Sequence, residues 1–203
     1  MTTLDALPRL VAGLVALDGS KVAPSVAQRQ KMQKPAAVLC EAASRIREDL
    51  LKVVLVLNEV QFSVLYQSHP SSPPEPLPPG TKGDPNLVRA IAVLEKKASS
   101  SGATPRALGP GQEALPPNSE RFMVVNGITW LETTPDNALT AAQARTALDA
   151  FNDVQAQLDR MAGALNEIWA LLTPEQQEVV RTSGTVAYDA VSARCVLYWT
   201  QKP

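Results

Sequence analysis

The chain has 203 residues, is 45% hydrophobic and carries a formal net charge of −1. This length is enough to bury a core, and no uncharged apolar run reaches the roughly 20 residues that a membrane helix needs. The near-zero charge removes the simplest argument for a nucleic-acid partner. We therefore expect a water-soluble protein with no membrane span and no nucleic-acid partner.

The first predicted element is a helix over residues 4–17. Its apolar residues recur at helical spacing, and the Asp18-Gly19 pair is a typical helix end. The apolar stretch 10–17 lies between two aspartates, Asp5 and Asp18, and no convincing cleavage site follows it. This pattern favours a folded helix over an export signal. We expect a cytoplasmic protein, with the periplasm as the alternative if a degenerate export signal is used.

Two helices should follow, each opened by a capping box. In this pattern a Ser, Thr or Asn accepts from a backbone N–H at the helix start, and a Gln three residues later reaches back. Ser25 and Gln28 predict a long helix to about residue 56, in which Pro35 should cause a bend. Asn58 and Gln61 predict a shorter helix that ends near residue 67.

The segment 68–118 differs sharply from the rest of the chain. It contains eleven of the seventeen prolines, so we predict an irregular connector with extended polyproline stretches. The apolar spacing in residues 86–97 predicts one short helix inside it. A role as a proline-rich ligand is the alternative, but a linker fits the composition better.

The second half begins with a stretch that has two interpretations. Taken alone, residues 122–130 resemble a β-hairpin with an Asn126-Gly127 turn. Compared with residues 7–17, the same stretch forms a helix with one apolar face made of Phe122, Val125, Ile128 and Leu131. We prefer the helix because it agrees with the repeat described below.

Two further capping boxes open the last predicted helices. Thr140 and Gln143 should begin a long helix to about residue 171. Thr173 and Gln176 should begin the final one, with Pro174 at the first helical position. We expect that helix to continue or to restart between residues 186 and 199.

The four boxes are placed as in a duplicated chain. Gln28 and Gln61 are 33 residues apart, Gln143 and Gln176 are also 33 apart, and an offset of 115 relates the two pairs. Similar amphipathic helices can align by chance, but four boxes in equal register favour duplication. We predict an all-α fold of two units, each a short helix, a long helix and a short helix. The units are residues 1–67 and 119–203, joined by the connector 68–118.

Two of the boxes carry a family resemblance. Leu139-Thr-Ala-Ala-Gln143 and Leu172-Thr-Pro-Glu-Gln176 are literal LTxxQ motifs that bracket a long helix. The chain thereby resembles the LTxxQ-motif, Spy/CpxP-like helical proteins. That family includes ATP-independent chaperones, envelope-stress regulators and metal-sensing relatives. Its known members are exported and usually supply one copy of the unit, whereas this chain has two copies and no clear signal.

No catalytic constellation is apparent in the sequence. The single histidine, His69, lies in the connector, and Cys40 and Cys195 have no metal-ligand spacing, so we expect them to be buried thiols. Asp149, Asp153 and Glu167 should lie on solvated helix faces. We predict no enzyme, no catalytic residue, no metal and no cofactor.

The expected function is binding. The resemblance implies an ATP-independent, chaperone-like protein that binds protein clients. The alternative is a structural or regulatory module that pairs with a partner helix. The sequence leaves oligomerisation open. The motif residues are the eight helix-capping positions, Ser25, Gln28, Asn58, Gln61, Thr140, Gln143, Thr173 and Gln176.

Overall fold

The described part of the chain is helical and contains no strand. A computed structural model describes residues 3–62, 85–99, 124, 128, 131, 138–183 and 196–201. Its helices are α1 (Thr3–Asp18), α2 (Val26–Leu55), α3 (Pro85–Ala98), α4 (Ala141–Leu171) and α5 (Pro174–Thr182). Residues 59–62 and 196–200 are also helical. These observations confirm the all-α prediction for the described residues.

The helix bounds agree with the local signals in the sequence. Helix α2 starts immediately after Ser25 and contains Pro35, while α5 starts at Pro174. The backbone is helical at positions 124, 128 and 131, where a β-hairpin was the alternative. Phe122, Val125 and most of the predicted connector lie outside the described residues. Helix α3 matches the short helix predicted at residues 86–97.

Most of the buried side chains of the two long helices recur at alternating spacings of three and four residues. This is the pattern of a coiled-coil seam, in which successive turns present an apolar side chain to the same neighbour. On α2 and just beyond it, the buried apolar residues with this spacing are Met32, Ala36, Leu39, Ala43, Ile46, Leu50, Val53 and Leu57, and Ala42 and Val54 are also buried. On α4 and just beyond it, they are Ala144, Ala147, Phe151, Val154, Leu158, Met161, Leu165, Ile168 and Leu172, and Ala141, Ala150 and Ala164 are also buried.

The chain divides into two compact units, and each takes segments from both halves of the sequence. Unit 1 contains residues 1–46 and 156–203, and unit 2 contains residues 47–155. The predicted boundaries at residues 67 and 119 were placed on sequence similarity, which carries no information about which segments pack together. Parts of α2 and α4 therefore occur in both units.

In unit 1, α2 and α4 run in opposite directions. Gln28, at the start of α2, meets the carbonyl of Leu171 at the end of α4. Further along α2, Glu41 pairs with Arg160 at 3.0 Å. Helix α1 packs against α5 in the same unit. The two helices lie close together at Gly13, because a Cβ atom there would lie 2.7 Å from the Cα atom of Val180.

In unit 2, α3 buries one face. Leu87, Ala90, Leu94 and Ala98 are buried and recur at helical spacing. Nε of Arg145, on α4, donates to the carbonyl of Ala98 at 3.2 Å. This bond satisfies one of the carbonyls that the end of α3 leaves without an intrahelical partner.

Candidate functional site

The capping-box residues make the local bonds that open their helices. The backbone N–H of the Gln donates to the Ser, Asn or Thr side chain in all four boxes, at 2.9–3.3 Å. In the return bond, the first residue's backbone N–H donates to the Gln Oε1. The structure records this bond at Asn58, Thr140 and Thr173. The box at Thr173 is complete and has Pro174 in the first turn.

The same glutamines also form a reciprocal amide pair in unit 1. Gln28 Nε2 donates to Gln176 Oε1 at 2.7 Å, and Gln176 Nε2 donates back to Gln28 Oε1 at 3.2 Å. Gln28 Nε2 also reaches the Leu171 carbonyl at 2.6 Å, and Gln176 Nε2 reaches the Val22 carbonyl at 2.9 Å. Both amide groups thus use all of their donors on protein acceptors.

An equivalent pair lies in unit 2. Gln143 Nε2 donates to Gln61 Oε1 at 2.8 Å and to the Val56 carbonyl at 2.7 Å. Gln61 Nε2 donates to Gln143 Oε1 at 3.3 Å and to the Ala138 carbonyl at 3.2 Å. Because Gln61, Gln143 and Gln176 are buried, an amide left without a partner there would be costly. Each pair ties one helix start to the end of another helix.

A buried arginine contacts residues 196–200 within unit 1. Arg29 is 9% exposed, and its Nη2 donates to Asp18 Oδ1 at 2.9 Å. Its guanidinium lies 4.6 Å from the centroid of the Trp199 ring, and Trp199 Nε1 donates to the same Asp18 oxygen at 2.9 Å. A buried charge needs such partners. We therefore assign this cluster to folding.

A half-open cleft of about 550 Å³ lies in unit 1. Helices α1, α4 and α5 line it. Its apolar floor is made by Leu10, Leu165 and Val180, which are buried. Gly13, one turn beyond Leu10 on α1, lies close to Val180 of α5. The volume falls in the range of small-molecule sites, about 300–1,000 Å³.

The polar groups of the cleft are mainly cationic. Arg9 and Arg181 line it together with Asn166, and no carboxylate is among the described lining residues. The Arg181 guanidinium lies 5.4 Å from the ring centroid of Trp169, which also lines the cleft. Arg181 pairs with Glu178 at 3.2 Å, and both side chains are exposed. An exposed pair of this kind is weak and exchangeable.

An exposed apolar pair marks the end of α2 in unit 2. Leu51 is 37% exposed and Leu55 is 45% exposed. Their spacing of four residues places them on the same helix face. Exposed charged residues of both signs, Arg47, Glu48 and Lys52, surround them on the helix. We call Leu51 and Leu55 the α2 stripe.

Among the residues that the structure describes, two pKa values are shifted, both at exposed side chains. Hydrogen bonding to the buried Asp49 carboxylate raises the pKa of Lys52 above its ordinary value of 10.5. Bonds from its own backbone N–H and from the Thr173 hydroxyl lower the pKa of Glu175 below its ordinary value of 4.5. Both shifts arise from local stabilisation of the charged form.

The remaining candidate residues are scattered. Cys40 is half-buried on α2, where the sequence led us to expect full burial, and Asp149, Asp153 and Glu167 are exposed. His69 and Cys195 lie outside the described residues. Within the described ranges, no group of three or more His, Cys, Asp or Glu side chains is placed to hold a metal ion.

Sequence reasoning missed three features. It did not pair the glutamines across helices, it did not single out Arg29, and it did not find the cleft. The recurrence of Gln at the third helical position was a usable signal, since a buried Gln has four hydrogen-bonding groups and a capping box uses only one of them. No local sequence pattern distinguishes Arg29 from its exposed neighbours on α2.

Comparison with known proteins supplies no relative. No family model, no curated protein and no solved structure matches the chain. In the part of the chain that the structure describes, no helix combines the length and apolar character needed to cross a membrane.

Proposed function

We propose that this protein acts by binding unfolded protein clients without ATP, in a chaperone-like manner. The observation that carries the proposal is the α2 stripe, where two leucines remain exposed on one helix face beside charges of both signs. Single exposed apolar residues are common on protein surfaces, but an i, i+4 pair is the spacing of helix-mediated recognition. A non-native client offers complementary apolar segments.

The proposal also draws on the LTxxQ resemblance. Both literal motifs place a Gln in a buried amide pair, so the motif has a structural role in this chain. We further propose that the chain is an internal duplication with the proline-rich segment as its connector. The offset of 115 relates Gln28 to Gln143 and Gln61 to Gln176. Each glutamine of one amide pair therefore corresponds to a glutamine of the other pair.

An aggregation assay tests the function. Light scattering of a chemically unfolded model client is followed after dilution, without ATP, in the presence of excess protein. We expect the wild-type chain to delay aggregation and the double variant Leu51→Gln/Leu55→Gln to lose most of that effect. The matched control is Val15→Gln, because Val15 is 62% exposed in unit 1 and lies outside the stripe.

Each outcome of the assay has a clear meaning. No delay by the wild-type chain at stoichiometric excess would remove the chaperone proposal. The interaction module that pairs with a partner helix would then remain, since the same stripe suits it. An equal loss in the stripe variant and in the Val15 variant would show that general surface hydrophobicity, and not the stripe, carries the effect.

A further inference from the structure

We propose that the cleft of unit 1 binds a small amphipathic carboxylate, with the aliphatic tail on the apolar floor and the carboxylate between Arg9 and Arg181. The proposal does not depend on client binding, which we assign to the α2 stripe in unit 2. The two sites use different residues and helices.

The division of the cleft into an apolar and a cationic part fits such a ligand. Leu10, Leu165 and Val180 supply the apolar floor, and Trp169 adds an aromatic side chain to the lining. Apolar burial would supply the driving force for the tail. The half-open form of the cleft leaves the head group near solvent, where the arginines are exposed.

The two arginines are suited to a carboxylate. A guanidinium presents several N–H donors in one plane and binds carboxylates through charge-assisted bonds. The Arg181 guanidinium lies 5.4 Å from the centroid of the Trp169 ring, so an aromatic face adjoins one of the two cations. A bound carboxylate would compete with Glu178 for Arg181, and the loss of one exposed ion pair costs little.

The proposed repeat indicates that the fold does not require these charges. The offsets that align the two halves place Arg9 against Met123 and Arg181 against Tyr66. The corresponding floor residue, Leu165, is aligned with Leu50, which is also apolar. The apolar positions are thus shared between the two halves, whereas neither arginine has a basic counterpart in the other half. A cationic cleft is therefore a property of unit 1 that packing alone does not explain.

Isothermal titration calorimetry with three probes, each built on a ten-carbon chain, tests which head-group charge the cleft prefers. Decanoate is used below its micelle concentration, alongside decanol and decyltrimethylammonium. We expect decanoate to bind with a stoichiometry of one and at least about tenfold more tightly than either other probe, since charge-assisted bonds are worth more than neutral ones. Equal affinities for decanoate and decyltrimethylammonium would overturn the proposal.

Variants locate the site. Arg9→Gln/Arg181→Gln should lower decanoate affinity to that of decanol while leaving the far-ultraviolet circular dichroism unchanged, because both side chains are exposed. Arg160→Gln is the matched control, since Arg160 is a surface residue of α4 in unit 1 that does not line the cleft. Unchanged decanoate affinity in the double variant would place binding elsewhere.

Tryptophan fluorescence gives a second readout that needs no change to the arginines. Decanoate should alter the emission of the wild-type chain, and Trp169→Phe should remove that change. A change that persists in Trp169→Phe would contradict the assignment.

A separate arm uses vesicles that carry an anionic lipid. Binding to these vesicles without binding to monomeric decanoate would also overturn the proposal, because the ligand would then be a membrane surface.

Discussion

At the scale of single residues, two glycines on helices should respond in opposite ways to the same substitution. Gly13→Ala places a methyl group 2.7 Å from the Cα atom of Val180, so α1 and α5 must move apart. Overpacking of this kind costs about 1–3 kcal/mol. Gly163 has nothing within 4 Å of an added Cβ atom. Gly163→Ala should therefore stabilise the protein by up to about 1 kcal/mol through helix propensity.

Urea denaturation measures both changes. The midpoint should fall for Gly13→Ala and rise for Gly163→Ala, with little change in the slope. A neutral result for Gly13→Ala would show that α1 and α5 do not approach as closely as the structure places them. The paired design controls for the general effect of adding a methyl group.

Thr173→Ala tests the capping box of α5. The substitution removes the acceptor for the Gln176 backbone N–H and should cost about 1 kcal/mol in the free energy of unfolding. It also removes one of the bonds that lower the pKa of Glu175, so that pKa should rise towards its ordinary value of 4.5. Denaturation and NMR titration of the Glu175 side chain measure the two effects.

The sign of the pH effect follows from the direction of the shift. A carboxylate with a lowered folded-state pKa adds stability that is present above its unfolded pKa and is lost as pH falls through the folded value. The contribution of Glu175 is therefore present at neutral pH and disappears in acid below 4.5. Thr173→Ala should reduce this acid dependence. A Glu175 pKa that is the same in the variant as in the wild-type chain would contradict the assigned cause.

At the scale of helices, the glutamine pairs hold helix ends together. Gln143→Glu keeps the size of the side chain but replaces two N–H donors with a carboxylate oxygen. That oxygen would face the Val56 carbonyl and the Gln61 amide oxygen in a buried site. We expect the free energy of unfolding to fall by about 2 kcal/mol or more at neutral pH, because a buried carboxylate oxygen that faces two acceptors is costly.

The loss in Gln143→Glu should depend on pH. Burial and the facing oxygens raise the pKa of the introduced carboxyl, so protonation restores one donor as the pH falls. The difference in unfolding free energy between the variant and the wild-type chain should therefore shrink between neutral pH and pH of about 4. Gln157→Glu is the control, since Gln157 bonds to Arg160 on an exposed surface. A loss of equal size in this control would show that added negative charge, and not the amide pair, is responsible.

The positions of the helices could be predicted from the sequence more readily than the contacts between them. The starts of α2 and α5 could be read from Ser25 and Thr173 because a capping box is a local pattern that closes within four residues. The pairing of Gln28 with Gln176 joins residues 148 positions apart and depends on how the helices pack. The burial of Arg29 has the same origin, since its partners Asp18 and Trp199 belong to different segments.

At the scale of the whole molecule, each compact unit combines segments that are far apart in the sequence. Similarity between two stretches indicates which residues have like patterns, whereas packing depends on which residues share a core. Unit 1 combines residues 1–46 with 156–203, so it takes α1 from one half and α5 from the other. The cleft that lies between these helices could not be foreseen, because no single half contains its lining.

The central claim is that the protein binds clients through the α2 stripe. A photo-crosslinking amino acid at position 51 tests it most directly, with the same amino acid at position 15 as the control. Val15 is more exposed than Leu51, at 62% against 37%, so non-specific contact would favour the control. We predict that an unfolded client crosslinks at position 51 and, at most, weakly at position 15. Crosslinking that is equal at the two positions, or stronger at position 15, would contradict the claim.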